Sequence, residues 1–88
     1  MSAEFAESVQ RAAAFVAARS RGDRDAAEAM LAEFDDDGQR LFAFCVLAEL
    51  AIRLLADRDG DSVDAVASRL AVTIAGVGDD PGAVARPR

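Results

Sequence analysis

The chain has 88 residues, 52% of them apolar, and its ten basic against sixteen acidic side chains leave a net charge of −6. All ten basic residues are Arg; His, Lys, Trp, Tyr and Asn are absent. One small domain with a thin core is expected, while His-based acid–base work, Schiff-base and P-loop chemistry are excluded and the acidity opposes nucleic-acid and anionic-membrane partners.

Helix propensity is high throughout, both Pro lie in the last eight residues, and no segment alternates with period two for long. The expected fold is all-α: a small four-helix, mainly antiparallel bundle with helices at about 3–19, 24–35, 39–56 and 63–75. Residues 1–78 would form the single helical domain and 79–88 a flexible tail. The first helix carries Phe5, Val9, Ala12 and Val16 at spacings of 4, 3 and 4, with Ser2 as its cap. The second starts at Asp23, a carboxylate suited to the free N–H groups of a first turn, and shows Ala27, Met30, Leu31 and Phe34 on one face. Asp36 with Gln39 three residues later has capping-box form at the start of the third.

The third helix is apolar almost all round. Between Leu41 and Leu55 its only charges are Glu49 and Arg53, four apart with the acid first. Leu47, Leu50 and Leu54 are expected to be deeply buried. Cys45, the lone cysteine, is expected to be a buried small hydrophobe, and no intramolecular disulfide is open to it. The stretch is too short and too charged to span a membrane. The first residues carry no basic segment of a secretion signal, so a cytoplasmic location is the expectation. The fourth helix follows Asp57-Arg58-Asp59-Gly60-Asp61-Ser62, with Asp61 or Ser62 as its cap. It carries Val63, Val66, Leu70, Ile74 and Val77 and is expected to stop at Gly76 and Gly78.

Charge is uneven: residues 23–37 sum to −6 and residues 57–64 to −3. Asp57, Asp59 and Asp61 resemble the first three ligand positions of an EF-hand calcium loop, which makes them the candidate metal ligands. The resemblance ends there, because the sixth position is Ser62 rather than Gly and the twelfth is Ser68 rather than Glu. Asp61-Ser62-Val63-Asp64 resembles the Asp-Ser-Leu motif of acyl carrier proteins, which implies a helix-opening Ser62 that accepts phosphopantetheine. The order of helices differs, since that family places two more helices after its own Ser helix. Arg21-Gly22-Asp23 spells an integrin-recognition tripeptide and reads here as a turn followed by a cap.

A bundle buries one stripe of each helix, so the third helix has surplus apolar surface. The expected use is an interface through Phe42, Val46 and Ile52 with a second copy or another protein. The leading functional expectation is a small acidic protein-interaction module, homodimeric, non-catalytic and without cofactor. Two alternatives stand beside it: an acidic regulator that mimics nucleic acid and binds a basic protein, and a carrier-like domain modified at Ser62.

Overall fold

The computed structural model describes residues 2–79. Among these the chain is all-α, with no strand. Its helices are α1 (Ala3–Ser20), α2 (Arg24–Ala32), α3 (Asp37–Asp59) and α4 (Val63–Asp79). Antiparallel bundle contacts pair α1 with α2, α1 with α3 and α3 with α4. The chain divides into two compact units, Met1–Glu49 and Leu50–Arg88. The expected tail, 79–88, lies outside the described residues except for Asp79, the last residue of α4.

Each helix begins where a short polar side chain meets the free N–H groups of a first turn. The Ser2 hydroxyl oxygen accepts from the Phe5 N–H at 3.1 Å, and Asp23 accepts from the Ala26 N–H at 3.1 Å. Asp36 accepts from the Gln39 N–H at 2.7 Å, and the Gln39 side-chain oxygen in turn accepts from the Asp35 N–H. Ser62 accepts from the Ala65 N–H at 3.1 Å.

The ends of α1 and α3 share one device. Gly22 and Gly60 adopt φ of 77° and 69°, a left-handed conformation that costs a residue with a Cβ ~1–2 kcal/mol. The N–H after each glycine donates back into its helix, Asp23 to the Ala18 carbonyl and Asp61 to the Ala56 carbonyl, both at 2.9 Å.

Four helix ends differ from the sequence reading by two residues or more. Helix α2 stops at Ala32 rather than 35: the Phe34 N–H tightens to the Leu31 carbonyl, which also accepts from Arg40 Nη2 at 3.3 Å. Helix α3 runs from Asp37 to Asp59, because the Asp36 cap makes Asp37 the first helical residue and Gly60 is the first left-handed one. Helix α4 continues through Gly76 to Asp79. A mid-helix glycine costs only about 1 kcal/mol relative to Ala, and Val77 one residue on is half-buried.

The first unit has a core of small residues closed by aromatic rings. Ala12 and Ala43 are fully buried and let the helix backbones approach, and Phe34 (5% exposed) fills the space between them. The Phe44 ring meets Phe15 edge-on at 5.4 Å and Phe34 at 6.0 Å. Arg11 lies over the Phe34 ring, 5.4 Å from its centre, and is held there by Glu33 at 3.1 Å.

Candidate interaction surface

The second unit is a hairpin of the C-terminal turns of α3 against α4. Its turn holds the residues that the sequence marked for metal and cofactor. Asp59 and Asp61 both converge on Arg69, at 3.4 and 3.0 Å, and so join the turn to the middle of α4. Asp57 is exposed and makes neither of these contacts. Among the described residues no group of three or more His, Cys, Asp or Glu side chains is arranged around a common ion position. Ser62 is exposed, and its hydroxyl oxygen serves as the cap of α4.

Packing in this hairpin is sparse. Among its described residues only Ala56 on α3 and Val66 on α4 are buried, Val66 to 1% exposure. Of the ten Val, Leu and Ile residues from Leu50 to Val77, seven are exposed, whereas in the first unit three of the twelve described large apolar side chains are. That contrast locates the surplus apolar surface of the molecule.

Two expectations for α3 are corrected. Leu47 is half-buried, but Leu50 and Leu54 are 39% and 70% exposed rather than deeply buried. The reason is helical geometry. Ala43, Leu47, Leu50 and Leu54 follow one stripe, and in the first unit Ala43 and Leu47 are packed. In the second unit the buried residue of α3 is Ala56, about 160° round the helix from Leu54, so Leu54 lies on the uncovered side. Cys45 is exposed rather than buried. It lies two residues beyond Ala43, on the opposite side of α3, beside the 67%-exposed Leu41.

The interface residues expected from sequence differ in exposure. Phe42 is 60% exposed, yet one side of its ring rests 5.0 Å from Phe5. Val46 and Ile52 are half-buried. Helix α4, expected beside α3 in the association surface, has Val63, Leu70 and Ile74 exposed on one face and Val72 on the other. Its signal was present as a run of apolar residues at spacings of 4, 3, 4 and 3: Val63, Ala67, Leu70, Ile74 and Val77. By periodicity alone such a run reads as a core-facing stripe.

The first unit also has a shallow polar cleft, lined by Glu4, Glu7, Arg11, Glu33 and Asp35 among others. Arg11 is already engaged by Glu33 and Phe34 there. No described helix is long and apolar enough to cross a membrane. Comparison with protein-family models, curated proteins and solved structures gave no match.

Proposed function

We propose that this chain is a small acidic protein-interaction module without a catalytic centre, which associates with a second copy of itself through its second unit. The supporting observation is the hairpin's missing core: seven of its ten described large aliphatic side chains are exposed around a single buried Val66. An isolated pair of helices held by so little burial is marginal in water, because helix formation in proteins rests mainly on tertiary packing. Exposed apolar surface of this density is characteristic of a face that another protein covers. The composition supports a non-catalytic role, since His, Lys and Tyr are absent and Cys45 has no such neighbour to activate it.

Hydrogen exchange at low and high protein concentration tests the reading. Association predicts that amide protection across residues 50–77 rises with concentration while protection in α1 and α2 changes little. Protection of 50–77 that is independent of concentration contradicts it.

A further inference from the structure

We infer that the second unit opens and closes separately from the first, and that Arg69 is the electrostatic clasp that sets how often it opens. This is a property of one chain and does not rest on self-association. Seven described residues of the first unit are buried, Phe34 among them, against Ala56 and Val66 in the second. The free energy needed to open a segment follows the contacts it buries, so the second unit opens first.

Little besides Arg69 holds α4 to α3. The turn between them is fixed by its own backbone and cap: the Asp61 N–H donates to the Ala56 carbonyl at 2.9 Å, and the Ser62 hydroxyl oxygen accepts from the Ala65 N–H. These bonds shape the turn and reach no further than the first turn of α4. Among the described residues, the only side-chain polar contact between α4 and α3 is that of Arg69 Nη2 with Asp59 Oδ2 at 3.4 Å. The same nitrogen lies 3.0 Å from Asp61 Oδ2.

The charges around the turn give this contact its weight. Asp57 and Asp59 lie in the last turn of α3, where a carboxylate meets the negative end of the helix dipole. Residues 57–64 carry four Asp against the single Arg58. On α4 the charges are Asp64 and Asp79 near its two ends and Arg69 between them, so Arg69 is the one cation that α4 offers to the turn. Its side chain and those of Asp59 and Asp61 are 56%, 38% and 39% exposed, so dissolved salt reaches all three. An exposed ion pair shifts an equilibrium only ~1.5- to 5-fold. Beside the aromatic core of the first unit such a shift would be minor. In a unit with two buried side chains it is a sizeable share of what keeps the unit closed.

Backbone hydrogen exchange tests this, with residues 63–77 compared against α1 and α2 in the same sample. In about 20 mM salt, Arg69→Gln should lower protection across 63–77 by about fivefold and leave α1 and α2 unchanged. In about 1 M salt, where screening acts beyond ~3 Å, the ratio of wild type to Arg69→Gln should fall toward one. That ratio should also survive about tenfold dilution of the protein, which separates the clasp from association. Arg53→Gln removes a positive charge from the same unit away from the clasp and should leave 63–77 unchanged. If Arg69→Gln strips 63–77 of all protection, Arg69→Lys, which keeps the charge, should hold it within about twofold of wild type. The clasp is overturned if Arg69→Gln changes nothing in low salt, or lowers protection equally at both salt concentrations. It is equally overturned if Arg53→Gln has the same effect, if Arg69→Lys fails to retain protection, or if the ratio vanishes on dilution. An equal loss in α1 and α2 overturns the separate opening of the second unit.

Discussion

Phe34→Ala removes the largest side chain in the core cluster of the first unit. Phe34 is 5% exposed and packs with Ala12, Ala43, Phe44 and Leu47. Ala12 and Ala43 are too small to collapse into the space, so the cavity persists and the expected cost is ~3–5 kcal/mol. The upper half of that range is favoured, because Arg11 also loses the ring beneath it, a contact of about 0.5–1 kcal/mol at a partly exposed site. Total stabilities of roughly 5–15 kcal/mol are usual, with small chains at the low end, so the substitution removes about half or more of the margin. Urea unfolding followed by far-ultraviolet circular dichroism measures it. Protein concentration must be held fixed, since association adds to apparent stability. A loss below about 1 kcal/mol would refute the account of the core, because it would mean that Phe34 is not the residue filling the space between Ala12 and Ala43.

Three further outcomes follow from the same structure. Gly60→Ala meets no atom within 4 Å but must adopt φ of 69°, so it should destabilise by ~1 kcal/mol or more through backbone strain alone, read as a lower urea midpoint. Ser62→Ala removes the cap of α4 and should cost about 1 kcal/mol, with early loss of protection at the amides of residues 63–66; unchanged protection there would show that the hydroxyl contributes nothing. Cys45 is exposed, so an aromatic disulfide reagent should modify it in the folded protein at a rate close to that of a free thiol; strong protection would place it under a partner and move the interface toward the outer face of α3.

The helix starts were legible because a cap is local chemistry: Ser2, Asp23, Asp36 and Ser62 each bond an N–H three residues on. The left-handed turn at Gly60 follows from its place among Asp residues after an apolar run. The end of α2 was not legible, because Arg40 and Phe34 close it through contacts outside its own residues. The surplus apolar surface was legible in amount but not in position. Leu54 and Ala56 are both plausible inward-facing residues on a helix apolar all round. Only the tertiary structure decides that Ala56 is buried and Leu54 is not. The same choice turns the run from Val63 to Val77 outward, although its spacing suits an internal core equally well.

Sedimentation equilibrium of the intact chain, from low micromolar concentration upward, tests the central claim most directly. The account predicts an apparent mass rising with concentration toward twice the 9.2 kDa of one chain. A mass that stays at one chain throughout would contradict it, because the exposed side chains of the second unit would then be tolerated in water without a second copy to cover them.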